Sequence, residues 1–205
     1  MIIPQDKPDA VIFDLDGTLY HLRHFVLHLC RSHLIGTFRF RNDNIVRREF
    51  KGKDYENVDA MYDAFFTRYA QCAGFRSRDA AQKWYFSFYI PQICRVLKKY
   101  HPARKDMIDT IQYLKKSNIP VAVYSDYPCT KERMEAIGLP CDVSKIPQDL
   151  LFGMDSFGAF KPSARPFRSI AKILNVPCEK VLVIGDRDDT DGEGARAAGM
   201  QFKLA

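Results

Sequence analysis

Asp14 and Asp16 stand at the end of a short apolar run, in Val11-Ile12-Phe13-Asp14-Leu15-Asp16-Gly17-Thr18-Leu19. On a buried strand this spacing sets two carboxylates at the carboxyl edge, where open α/β sheets bind ligands. Like charges held there cost free energy unless a cation shares the site. A division of labour accounts for that cost. Asp14 is placed to attack phosphorus in line and form an acyl phosphate, and Asp16 to protonate the leaving oxygen and then deprotonate water, with a divalent metal beside both. Gly17 lets the backbone turn and approach a ligand. The same residues also fit a strand that closes in an ordinary Asp-Gly turn.

Three further groups have comparable placement. Ser125 follows the apolar run Val121-Ala122-Val123-Tyr124, so its hydroxyl and the next backbone amide can bond a phosphoryl oxygen, although serine also serves there simply as a turn residue. Lys161, in Phe160-Lys161-Pro162-Ser163, precedes a helix, the end that cations avoid for purely structural reasons. It makes sense as a partner for the aspartates and the phosphoryl group, or else as a solvated lysine. Gly185-Asp186-Arg187-Asp188-Asp189-Thr190-Asp191 follows the strongest strand signal, and Asp186 and Asp191 are placed to hold or orient a hard cation. Asp188, Asp189 and Glu193 need only be helix-start acids.

The elements that must position these residues alternate. Strands are expected at about 10–14, 121–124, 150–154, 180–184 and 201–204, with helices at about 105–117, 130–137, 163–174 and 189–198 between them. That order implies right-handed crossovers and a mostly parallel sheet, with the strand ends converging at one edge. Between Tyr20 and His101 the pattern is helical only, at about 24–38, 43–51, 57–73 and 78–100, with a break expected at Pro91. Phe25, Leu29 and Leu34, then Met61, Ala64, Phe65 and Tyr69, recur at near-helical spacing. The fold class expected is therefore α/β, a Rossmann-like core of residues 1–19 and 102–205 with a helical unit of residues 20–101 inserted after the first strand.

Composition narrows the classes further. At 205 residues the chain holds one sizeable core, or a core and a modest insertion. No apolar run reaches the roughly 18 residues of a membrane span, and Met1 to Ala10 lacks a signal peptide's basic start and apolar stretch. A cytoplasmic protein with no membrane contact is expected. Cys30, Cys72, Cys94, Cys129, Cys141 and Cys178 are too widely spaced for a secreted disulfide frame or a zinc motif, and read as reduced core thiols. The net charge of +6 is concentrated: residues 20–101 carry 15 Lys and Arg against 7 Asp and Glu, and the rest is slightly acidic.

Taken together, Asp14 to Thr18, Ser125, Lys161 and Asp186 to Asp191 resemble, in order and in strand context, the four motifs of the haloacid dehalogenase superfamily. The resemblance covers about 10–19 and 103–204 and implies magnesium as cofactor. It makes Asp14 the nucleophile and a metal ligand, and Asp16 the acid/base, joined to the metal through its backbone carbonyl. Ser125 and Lys161 would hold the phosphoryl group, with Thr18 and Asp126 among the residues contacting substrate. Asp186 and Asp191 would complete the metal site. The inserted helices match the family's helical cap in position.

Dehalogenases of that superfamily lack the second aspartate, so Asp16 turns the expectation to phosphate chemistry on a small phosphorylated metabolite, hydrolysis first and phosphomutase as the alternative. The basic insertion, with Arg39, Arg41, Arg47, Arg48, Lys51 and Lys53, reads as a solvated surface, a substrate-attracting cap, or a binder of nucleic acid or another polyanion, the last being subordinate to catalysis. His21, Arg23 and His24 follow the catalytic turn, and one of them is expected to face substrate when the cap excludes water.

Overall fold

The computed structural model describes residues 7–32 and 37–205. Five parallel strands form one sheet in the order β3-β2-β1-β4-β5, comprising β1 (Ala10–Phe13), β2 (Val121–Tyr124), β3 (Leu151–Phe152), β4 (Val181–Gly185) and β5 (Gln201–Leu204). Successive strands go to one side of β1 and then to the other, which makes its carboxyl end a topological switch point. Phe13 lies level with Ile184 on β4 and with Val123 on β2. Asp14, Asp186 and Ser125 therefore emerge at the same edge.

Strand alternation divides the core into two layers. Val11, Phe13, Val121, Val123, Leu182 and Ile184 pack on one face, in the same apolar cluster as the inserted helices and α6 (Lys105–Lys116). Ala10, Ile12, Ala122, Tyr124, Val181 and Val183 pack on the other, against Phe167, Ile170 and Ala171 of the helix over Ala164–Ile173. Every residue of β1, β2 and β4 is buried, as strands covered on both faces must be.

The inserted helices are α1 (Phe25–Ser32), α2 (Thr37–Phe50), α3 (Val58–Ala73), α4 (Arg78–Trp84) and α5 (Ile90–Tyr100). The chain leaves and re-enters the sheet region at adjacent points: Tyr20 bridges to Ala103, and the Arg104 amide donates to the Leu19 carbonyl at 2.8 Å. Asn57 caps α3 by accepting from the Ala60 amide, and Gly74 ends the helix in the left-handed conformation. Phe65 of α3 stacks on Phe160, with ring centroids 5.9 Å apart, so an aromatic pair joins the insertion to the residue before Lys161.

Three expectations change. Pro91 breaks nothing, because a π turn over Tyr85–Tyr89 precedes it and the Ile90 amide reaches the Tyr85 carbonyl, so α4, the turn and α5 run on without interruption. α2 begins six residues earlier than expected, since polar Asn42 and Asp43 are buried within it and obscure its apolar face. The expected helix over 24–38 is described only as α1 and the start of α2, and Leu34 lies outside the described residues. The cysteines are free, as expected, but each is half-buried and none is fully in the core. Among the described residues no helix is long and apolar enough to cross a membrane.

Candidate active site

Asp14 follows β1 directly, and both of its carboxylate oxygens are engaged. Thr18 Oγ1 donates to Oδ2 at 2.9 Å, and the Lys161 ammonium donates to Oδ1 at 2.6 Å. Lys161 is buried and also donates to Asp191 Oδ1 at 2.7 Å and to the Tyr124 carbonyl at 2.9 Å. It enters on the loop before the helix Ala164–Ile173, with its amide held by Asp126 Oδ1 at 2.9 Å. Asp191 comes from a π turn, Asp188–Gly192, that follows β4. Gly17 has φ +89°, and a Cβ there would stand 2.1 Å from Asp186 Oδ2. Glycine thus supplies both the left-handed turn and the room that lets the first loop meet the fourth.

Asp14, Asp186 and Asp191 each offer an oxygen, all within 4.8 Å of one another. Three carboxylates against one ammonium leave excess negative charge, and the acids respond. Burial pushes the Asp14 carboxyl well up against the pull of Lys161, while burial and the Asp191 charge raise Asp186 to about 6. An all-oxygen donor set of this kind fits a hard divalent cation, which would restore the balance and keep Asp14 ionised.

The raised Asp186 carboxyl has a measurable consequence. From about pH 4 to about pH 6 the folded protein holds a proton that the unfolded chain has released, so this group costs stability as pH rises through that window. In urea unfolding, metal-free Asp186→Asn is expected to match wild type near pH 4. At pH 8 it is expected to exceed wild type by about 1 kcal/mol, allowing for solvent screening of a half-exposed group. Magnesium at pH 8 is expected to stabilise wild type alone and reverse that order.

Asp16 turns away from the three-acid cluster. Ser125 Oγ donates to its Oδ2 at 2.8 Å, and Arg133 and the Tyr20 hydroxyl both donate to Oδ1. Burial alone would raise this carboxyl, but the Arg133 guanidinium outweighs it, helped by the Tyr20 and Ser125 hydrogen bonds, and holds it below the usual range. Arg133 Nη1 also donates to Ser125 Oγ at 2.9 Å. The arrangement keeps Asp16 ionised and fixed, suited to accept a proton from water.

The carboxylates and Lys161 form the floor of a cavity of about 560 Å3. Of the residues expected to contact substrate, Lys161 and Asp126 line it. Thr18 and Ser125 do not, because their hydroxyls are committed to Asp14 and Asp16. His21, Arg23 and His24 also stand outside: all three are exposed, His24 turns the chain at φ +62°, and the intervening Leu22 faces the cavity with Phe25.

Sequence reasoning passed over Arg133 and a polar cluster under α2. Arg47 binds Asp43 at 3.0 Å and the Asp126 carbonyl at 2.7 Å, and its guanidinium lies 3.4 Å from the Tyr127 ring centroid. Asp43 is fully buried and accepts from the hydroxyls of Tyr85, Tyr89 and Tyr127. Arg47 is therefore a tie between α2 and the loop after β2, and no part of a solvated surface. The i, i+4 spacing of Asp43 and Arg47 was the available signal.

The model of the haloacid dehalogenase-like hydrolase family matches residues 8–199. The chain belongs to that family and is a hydrolase. A phosphoglycolate phosphatase of Aquifex aeolicus is 26% identical over 200 residues, 96% of this chain and 84% of the relative. Among solved structures, a HAD-type hydrolase of Bacillus subtilis bound to magnesium superposes with a TM-score of 0.64 at 16% identity, covering 97% of this chain and 89% of that one. A 2-haloacid dehalogenase of Pseudomonas syringae gives 0.61 at 19% identity, covering 100% and 86%. Phosphatase and dehalogenase thus share this fold, and site chemistry must separate them.

Proposed function

We propose that the protein is a magnesium-dependent phosphohydrolase that releases phosphate from a small phosphorylated metabolite through an aspartyl phosphate on Asp14. The observation that carries this reading is the pairing of Asp14 with Asp16. Asp14 is held by Thr18 and Lys161 at the cavity floor, and Asp16, the group that the family's dehalogenases lack, is fixed two residues on.

Asp14 attacks phosphorus and takes the phosphoryl group as the substrate's ester P–O bond breaks, and the leaving oxygen departs with the proton that Asp16 carries into this step. Lys161 offsets charge on the phosphoryl oxygens. Asp16 accepts the proton of the water that then cleaves the acyl phosphate, with Arg133 and Ser125 keeping its carboxylate in place. Magnesium bound by Asp14, Asp186 and Asp191 would supply electrostatic stabilisation of the phosphoryl charge. Residues 20–101 act as the cap over this floor, and the six free cysteines accord with a reducing, cytoplasmic setting.

Phosphate release from a panel of phosphomonoesters, including phosphoglycolate and 4-nitrophenyl phosphate, with magnesium and with a chelator, tests the reading. Magnesium-dependent release is expected. Halide release from 2-haloacids without phosphatase activity would overturn it, and an isomerised product formed with no free phosphate would assign a phosphomutase.

A further inference from the structure

The cavity above the catalytic floor is much larger than a phosphoryl group on a two-carbon acid requires, and its walls differ in chemistry. Its volume of about 560 Å3 falls in the range of roughly 300–1,000 Å3 that accommodates drug-sized ligands. One wall comes from α2. Arg41, Asn44 and Arg48 follow one another at i, i+3 and i+7, which is a single helix face, Lys51 comes in the turn just past the helix end, and all four line the cavity. Phe40, Asp43, Val46 and Phe50 occupy the buried face of the same helix. The basic residues are thus directed by the helix period toward the site.

Some surface arginines are paired, Arg68 with Glu49, Arg165 with Asp54 and Arg196 with Asp188, while Arg23, Arg31, Arg76, Arg95 and Arg168 have no carboxylate partner among the described residues, so what distinguishes Arg41 and Arg48 is their place on the cavity wall. Lys51, just past the helix end, is bound to Asp189 at 2.7 Å. Arg41 and Arg48 have no acidic partner among the described residues and are exposed to the cavity. Two guanidinium groups with no carboxylate partner among the described residues, above a floor suited to a phosphoryl group, are suited to a second anion.

Another wall is apolar. Leu22 is 43% exposed and Val26 60% exposed, and both line the cavity together with Leu29. Covering such surface favours binding by about 25 cal/mol per Å2, and a fully polar, compact substrate would leave it in contact with water.

We infer that the substrate is a phosphomonoester with an apolar body, the size of a ring or a six-carbon chain, and a second anionic group at its far end held by Arg41 and Arg48. The inference rests on the phosphohydrolase reading and goes beyond it in substrate class. A carboxylate and a phosphate both have the required chemistry at the far end.

Four esters of similar leaving group separate the possibilities: hexyl phosphate, phosphonooxyhexanoate, hexanediol bisphosphate and phosphoglycolate. With wild type, kcat/KM for one of the two anion-terminated six-carbon esters is expected to exceed that for hexyl phosphate and for phosphoglycolate by roughly tenfold or more, the worth of a hydrogen bond to a charged group. The preferred arm identifies the second anion as carboxylate or phosphate. In the double variant Arg41→Gln, Arg48→Gln, whose exposed positions leave the fold checkable by circular dichroism, the ratio over hexyl phosphate is expected to fall to about one. Equal kcat/KM for all the esters in wild type, or a ratio that survives in the double variant, overturns the inference and leaves the phosphatase reading standing. No phosphate from any ester, 4-nitrophenyl phosphate included, overturns both.

Discussion

Asp14→Asn is expected to lower kcat for every phosphomonoester the protein turns over by on the order of 10^4-fold or more, the scale of loss when a covalent nucleophile is removed. The fold should survive the change. Asparagine has the shape of aspartate and can still accept from Thr18, and Lys161 keeps Asp191 and the Tyr124 carbonyl as partners. Because burial already pushes the Asp14 carboxyl up, its charge is a cost to the folded state, and the neutral amide is expected to leave the thermal midpoint level or higher. A stopped or continuous phosphate assay beside a thermal melt checks both parts. Residual turnover within tenfold of wild type would remove Asp14 from the role of nucleophile.

Arg133→Met is expected to give the largest loss of stability among the site substitutions. Arg133 is buried against Asp16 and Ser125, and removing one partner of a buried pair costs about 3–5 kcal/mol because the other charge is left uncompensated. The pH dependence separates this from simple loss of packing. In wild type the depressed Asp16 carboxyl contributes stability above its unfolded pKa, and that contribution is lost as pH falls through the folded value. Without Arg133, burial raises the same carboxyl, so the variant gains stability as pH falls toward 4. Denaturant midpoints should thus differ most near pH 7 to 8 and converge in acid. A gap of constant size between pH 5 and 8 would show that Arg133 acts only by filling space. Arg133→Lys is not expected to rescue, since a single ammonium does not reproduce a planar fork that reaches both Asp16 and Ser125.

The contrast between Asp14 and Arg133 shows how much of the site could be read from the chain. Asp14, Ser125, Lys161 and Asp186 are each announced by a local pattern: an apolar run and its end, or a loop before a helix. The parallel sheet brings such ends together whatever lies between them. Arg133 has no such mark. It sits inside a short helix, Thr130–Ala136, where an arginine reads as solvated, and its partner Asp16 is 117 residues away. The hydroxyls of Thr18 and Ser125 carried the right residue types, but only the fold shows that they bond the two aspartates.

The insertion was legible as helices and not as a wall. Its basic excess looked uniform in composition, yet Arg47 is spent on Asp43 and Asp126, Arg39 lies over Phe75 and Trp84, and Lys53 lies over Phe50. What α2 turns to the cavity free of such ties is the 41, 44 and 48 stripe, whose period was present in the sequence but could not be oriented without knowing which face α2 buries. The polar pair Asn42 and Asp43 on the buried side reversed the usual rule that places apolar residues inward.

Covalent capture of the phosphoryl group tests the central claim most directly. Enzyme turning over 4-nitrophenyl phosphate with magnesium is quenched in acid within the first turnovers, digested, and its peptides weighed. The expected result is one added phosphoryl group on the peptide carrying Asp14, absent from Asp14→Asn and absent when magnesium is chelated. Steady phosphate release with that peptide unmodified, or with the phosphoryl group on another residue, would contradict the account.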